Sequence, residues 1–175
     1  MHRNSGLLFQ KYALPFFQPG MRVLEIGPDT MNSDYRKMLP AGVEYECTVL
    51  SNSVHWHPGM IPMKGEYSIE CPSKSFDIVF SGQVAEHVRQ VWTWLWEVAR
   101  VSKRYVITIC PVTWEFHAVP VDCWRIWPDG MCALHEYAGL KTVLATCENL
   151  DKTDADVRYN KGPVLDTIAI GEKMT

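Results

Sequence analysis

The sequence predicts an α/β fold built on a doubly wound, mostly parallel sheet, and three features predict it. The apolar positions Met21, Val23, Leu24 and Ile26 stop abruptly at Gly27-Pro28, as a buried parallel strand does when it enters a tight turn. Glu25 is the penultimate residue of that strand and Gly27 follows it where backbone must approach a ligand closely, which is how a nucleotide-type cofactor site opens in such a sheet. Further strand-prone runs, Val43 to Leu50 and Tyr105 to Ile109, alternate with segments of helical pattern, as strands joined by crossover helices do.

A chain of 175 residues suits one domain, 1–175, with residues 1–20 as an N-terminal packing helix or lid and 21–175 as the core. Its 47% apolar and 21% charged residues are those of a globular protein. A net charge of −3 gives no electrostatic footprint for nucleic acid, so that partner is excluded. No run of 18 apolar residues and no apolar secretory core occur, so no membrane partner is expected and the cytoplasm is the expected compartment. Cys47, Cys71, Cys110, Cys123, Cys132 and Cys147 form no C-x-x-C pair and lie mostly in apolar runs, which predicts buried free thiols. His55-Trp56-His57 could set two imidazoles on one side of an extended segment, but no third ligand is near in sequence and no metal site is expected. Nothing in the sequence speaks to oligomeric state beyond the seven tryptophans, whose exposed share could mark an interface.

In chain order, Leu7, Leu8, Phe9, Phe16 and Phe17 surround Pro15 in the packing segment, and Pro19-Gly20 leads into the first strand. Asp34 to Leu39 makes a short helix that Pro40 ends. After the second strand, Ser51 to Gly65 has no clear period and reads as a long loop, and Tyr67 to Ile69 as a short third strand. Val91, Trp94, Leu95, Val98 and Ser102 share one face of a helix, with Thr93, Glu97 and Arg100 opposite. Trp92, Trp94 and Trp96 read as core and helix-to-sheet packing. Arg104 to Cys110 is the fifth strand. Thr142 to Cys147 and Leu165 to Ile170 are the last two, joined by a polar, acid-rich loop from Glu148 to Pro163.

The first strand and its turn resemble the opening motif, E-x-G-x-G-x-G, of class I S-adenosylmethionine-dependent methyltransferases of the type 11 kind. Glu25 and Gly27 match its first two fixed positions, while Asp29 and Met31 stand at its second and third glycines. The stretch from Cys71 through Ser75-Phe76-Asp77 to Ser81 resembles the family's turn into its fourth strand, with Asp77 as a cap on neighbouring backbone amides. Gln83-Val84-Ala85-Glu86-His87-Val88 is similar to its L-E-H-V segment, with Ala85 for leucine. Ser102-Lys103-Arg104 is shorter than the family's K-P-G-G turn. The second strand offers Val49 where an acidic residue usually holds the cofactor ribose, and Glu46 is the nearest acid.

Residues Cys110 to Gly130 resemble a subgroup carrying H-x-x-P-x-D-x-W-R after the fifth strand. His117, Pro120, Asp122, Trp124 and Arg125 match position by position, as do Pro128, Gly130 and Ala138-Gly139-Leu140 in the helix that follows. The resemblance implies a Rossmann-like sheet that ends in an antiparallel strand. It also implies S-adenosylmethionine as cofactor, bound through Glu25, Gly27, Asp29, Ser81 and Gly82. The loop is the candidate acceptor side, because loops at the carboxyl ends of strands carry function. His117 can take a proton from an acceptor hydroxyl or amine with Asp122 orienting it, and His87, Trp114 and Arg125 are candidate acceptor-binding residues. Asp122 and Arg125 can equally pair with each other and pin the loop.

Two functions follow. The first is methyl transfer to a small-molecule acceptor, such as a glycan precursor or another metabolite. The second is a non-catalytic binding or scaffold protein with a degenerate methyltransferase fold, suggested by Asp29, Val49 and the missing turn glycines.

Overall fold

The computed structural model describes residues 3–50, 57–118, 120–151, 153 and 164–174. His55 and Trp56, and most of the loop between the last two strands, lie outside the described residues. All strands join one sheet: β1 (Arg22–Ile26), β2 (Glu44–Leu50), β3 (Ile61–Met63), β4 (Phe76–Gly82), β5 (Ser102–Pro111), β6 (Leu140–Glu148) and β7 (Asp166–Lys173). Their spatial order is β3-β2-β1-β4-β5-β7-β6. The first five are mutually parallel, and β7 runs antiparallel between β5 and β6. The chain winds outward one way from β1 and the other way from β4, so the crevice between their carboxyl ends is the switch point where open α/β sheets bind ligands.

The helices are α1 (Arg3–Leu8), α2 (Asp34–Met38), α3 (Val91–Val101) and α4 (Pro128–Tyr137). α1 continues through a wider turn, Phe9–Ala13, and a tight one, Leu14–Phe16. This segment packs Phe9 and Phe17 against Phe80 of β4, with ring centroids 5.5 and 5.6 Å apart. It also brings polar groups inward: the buried Asn4 donates to Asp166 Oδ2 and to the Glu148 carbonyl, and accepts from the Leu150 N–H. The other face of the sheet is covered by α3 and α4 around Leu24, Phe76, Trp94 and Met131.

Four expectations need correction. The third strand is Ile61–Met63, not Tyr67 to Ile69, of which only Ile69 bridges to Met63. Pro62 argues for a loop in sequence, yet β3 is the sheet edge, where a residue without an N–H is tolerated. Glu97 is buried rather than exposed, because its carboxylate accepts from the Ile69 N–H at 2.7 Å and from both ends of the Arg100 fork. Trp92 and Trp96 face outward and only Trp94 enters the core. All six cysteines are free, but only Cys47 and Cys110 are buried, and Cys123 and Cys132 are exposed. Asp77 accepts the Arg22 backbone N–H at 2.9 Å, as a cap does.

Candidate active site

Two cavities open at the carboxyl ends of β1, β2 and β4, of about 250 and 370 Å³, and Gly27, Pro28, Asp29 and Gln83 border both. The smaller is polar, with Glu25, Asp34, Lys37 and Gly82 in its walls. The larger is an apolar slot of Ile26, Val49, Leu50, Met63 and Val84, with His87 and Pro120 at one side. Gly27 turns the chain between them at φ +65°, where a side chain would be strained.

Glu25 lies 3% exposed at the floor of the polar cavity. Its Oε2 accepts from Ser33 Oγ at 2.5 Å and from the Tyr45 hydroxyl at 2.7 Å, and Ser33 in turn caps α2 by accepting the Arg36 N–H. Burial pushes the Glu25 carboxyl up to about 7, with the charges of Asp29 and Asp34 adding to the effect and the two hydroxyls opposing it. Gly82 is fixed by Tyr35, whose hydroxyl and ring occupy the place a Cβ at that position would take. Ser81 is buried between Ile26 and Thr108 of the neighbouring strands and borders neither cavity. Val49 is buried in the slot wall, and Glu46 spends its carboxylate on Arg22 at 2.6 Å.

On the opposite side, the turn after β4 and the loop after β5 are fastened together. The Glu86 carbonyl accepts the Cys123 N–H at 2.7 Å and the Trp124 N–H at 3.3 Å. Trp124 Nε1 donates to the Val88 carbonyl, and His87 Nδ1 lies 2.6 Å from the Val121 carbonyl. This joining places His87 against His117, edge to face, with ring centroids 4.9 Å apart. Trp114 stands 6.5 Å from His117.

Asp122 holds the loop's interior. Its carboxylate takes Arg125 by both ends of the fork, at 2.5 and 2.7 Å, accepts the His117 backbone N–H at 2.8 Å, and lies 3.4 Å from His117 Nδ1. The Arg125 bonds hold the Asp122 carboxyl down to about 2. Arg125 also donates Nε–H to the Trp114 carbonyl and its remaining N–H groups to the Trp124 and Glu115 carbonyls. All five of its donors are thereby engaged within the loop. Asp122 thus pairs with Arg125 and also touches both the backbone and the ring of His117.

Sequence reasoning missed the roles of four residues here. Gln83 borders both cavities at φ +60°, and no turn signal marks it. Tyr35 and Tyr45 reach the site from α2 and β2, and their roles depend on contacts across the fold. Glu86 is fully buried, and burial pushes its carboxyl up to about 8.

No family model matches the sequence, and no curated protein matches it significantly. Solved structures do. A methyltransferase from Archaeoglobus fulgidus that depends on S-adenosylmethionine superposes with a TM-score of 0.66 at 18% identity, over 96% of this chain and 92% of that one. The YcgJ protein of Bacillus subtilis gives 0.64 at 17%, over 99% and 100%. The chain has the class I methyltransferase fold. A phosphoethanolamine N-methyltransferase from Haemonchus contortus, bound to phosphomonomethylethanolamine and S-adenosylhomocysteine, matches with a TM-score of 0.65 at 12% identity, over 99% of this chain and 53% of that one. The methyltransferase fold accounts for the strand order and for the antiparallel β7. Among the described residues no helix is long and apolar enough to cross a membrane.

Proposed function

We propose that this protein is a methyltransferase that moves a methyl group from S-adenosylmethionine to a small-molecule acceptor. The observation that carries the reading is the paired cavity at the β1/β4 switch point, with the buried Glu25 at one end and His87, which His117 packs against, at the other. The residues fit the cofactor. Glu25, Gly27, Asp29 and Gly82 would hold its amino-acid end, and the slot of Ile26, Val49, Leu50, Met63 and Val84 its purine. Carboxylates at Glu25, Asp29 and Asp34 suit a ligand that carries an ammonium and a sulfonium. When bound, the cofactor supplies the electrophilic methyl group.

Displacement at a sulfonium carbon needs donor and acceptor in line, so the main work of the site is positioning. The fastened pair of segments, 83–88 and 114–125, gives the acceptor side a rigid wall. His117 is the proposed proton acceptor: its Nδ1–H is given to the Glu115 carbonyl at 3.0 Å, with Asp122 behind it, which leaves Nε2 with its lone pair. Arg125 is a positioning residue in this account, since none of its donors is left for an acceptor. Trp114 and His87 remain candidates for acceptor contact. The free cysteines support a reducing, cytoplasmic setting.

Isothermal titration with S-adenosylhomocysteine tests the reading. Binding at micromolar concentration is expected. No heat from a folded sample at high concentration would instead leave a degenerate fold that kept its acceptor loop, and recovery of binding in Asp29→Gly would identify that aspartate as the cause.

A further inference from the structure

Three ligand-type side chains converge where the turn after β4 meets the loop after β5. One donor atom from each of Glu86, His87 and His117 lies within 4.8 Å of those of the other two. We propose that these residues bind a divalent first-row transition ion as a set of two histidines and one carboxylate. Ion binding follows from the three residues alone; what the ion does rests on the methyl-transfer reading above.

The first support is the direction of the imidazole protons. His87 Nδ1 faces the Val121 carbonyl at 2.6 Å and His117 Nδ1 faces the Glu115 carbonyl at 3.0 Å. A carbonyl oxygen only accepts, so each Nδ1 carries the ring proton and each Nε2 keeps its lone pair. Metal-ligating histidines are arranged this way, the far N–H given to a carbonyl or carboxylate that fixes tautomer and ring orientation. The Asp122 carboxylate, 3.4 Å from His117 Nδ1, adds negative charge behind one of the two rings.

The second support is Glu86. Its side chain is fully buried, and neither carboxylate oxygen has a hydrogen-bond partner. Asp122 and Glu97, whose carboxylates are also buried, are by contrast both met by N–H donors. A carboxyl removed from water and given no donor either keeps its proton or must be met by a cation, and an ion at this place would displace that proton. Glu86 Oε1 faces His87 Nε2 at 3.6 Å, so it points to the place where the His87 lone pair lies.

Two neutral imidazoles with one carboxylate favour manganese, iron, cobalt, nickel or zinc over magnesium and calcium, which prefer oxygen ligands. Metal–ligand bonds of about 2.1 Å place donor atoms roughly 3–3.5 Å apart, a closure of up to about 1–2 Å that falls to the partly exposed His117 side chain. His87 also borders the apolar slot, so the open positions of such an ion face the cavity. On the methyl-transfer reading, the ion holds an acceptor oxygen beside the donor and lowers the pKa of a bound hydroxyl. One lone pair cannot serve both purposes, so the ion then replaces His117 as the means of removing that proton.

The test is a titration of chelator-treated protein with Co²⁺, followed by visible absorption, and with Mn²⁺, followed by electron paramagnetic resonance. One equivalent should bind at micromolar concentration, and Glu86→Gln, His87→Ala and His117→Ala should each weaken binding at least about tenfold. His117 is partly exposed, so His117→Ala remains decisive if the Glu86 variant does not fold. The same His117→Ala protein should bind S-adenosylhomocysteine as the parent does. Failure of the parent to bind either ion stoichiometrically, or binding that survives in His87→Ala/His117→Ala, overturns the proposal. Ion binding without S-adenosylhomocysteine binding supports the ion site and removes the methyl-transfer reading instead.

Discussion

His87 meets His117 edge to face at 4.9 Å although thirty residues of chain separate them, and each ring is oriented by a backbone carbonyl of the β5–α4 loop. Both rings should therefore be in the Nδ1–H form, and a long-range proton–nitrogen spectrum at neutral pH reads this directly. An Nε2–H form at either ring would contradict the geometry. If His117 is the proton acceptor in a metal-free enzyme, His117→Gln lowers turnover by roughly 10²-fold with cofactor affinity unchanged. Full turnover at saturating acceptor would assign the ring to recognition.

Arg125 closes the loop through Asp122, whose side chain is 1% exposed. Arg125→Ala leaves that carboxylate buried without its partner, which costs about 3–5 kcal/mol in denaturant unfolding. Arg125→Lys restores the charge but not the five-donor fork, and should recover less than half of the loss. Amide exchange across residues 114–125 should rise in both variants. Unaltered exchange there would show that the loop is held by other contacts.

The pH profile of stability carries the signature of Glu25. Its folded carboxyl titrates at about 7, against an ordinary value of 4.5, so the folded protein holds an extra proton between those values. The contribution is most favourable below about 4.5, is lost as pH rises through about 7, and amounts to about 3 kcal/mol. Glu25→Gln should flatten this change and raise the melting temperature at pH 8.5. The same substitution should weaken S-adenosylhomocysteine binding, because the ammonium loses its carboxylate. A parent whose cofactor affinity does not strengthen between pH 6 and pH 8 would show that the ionised carboxylate is not the contact.

Tyr35 stands in the space that a side chain at Gly82 would need. Gly82→Ala should cost about 1–3 kcal/mol by overpacking. In a double-mutant cycle with Tyr35→Ala the two costs should fall short of their sum, since the vacated ring space admits the methyl group. Additive costs would mean that the clash is relieved elsewhere.

The strands nearest the site were legible in sequence because each is bounded by a signal of its own: Gly27-Pro28 after β1, Phe76-Asp77 opening β4, Pro111 closing β5. The loop after β5 was legible as a motif, and Asp122 pairs in it with Arg125, three residues on. What sequence could not show was set by partners far along the chain. Glu97 falls on the polar face by helical period, yet the Ile69 N–H, 28 residues away, takes it inside. Glu86 is one letter of the L-E-H-V-like segment in sequence, and only its burial beneath the β5–α4 loop reveals a carboxyl group with no hydrogen-bond partner. Gln83 and Tyr35 show no local pattern because their positions are dictated by what packs on them.

The place of β7 between β5 and β6 has a consequence for how the chain is made. As the protein leaves the ribosome, β5 presents an open edge and β6 emerges with no strand to pair with, since the strand that lies against both is synthesised after them. The pairing of the last two strands, and with it the anchoring of Asn4 on Asp166, must wait for residues 166–173. Until then the β5 edge is a template for pairing with another chain, so the nascent protein is most prone to aggregate while that segment is still in the exit tunnel.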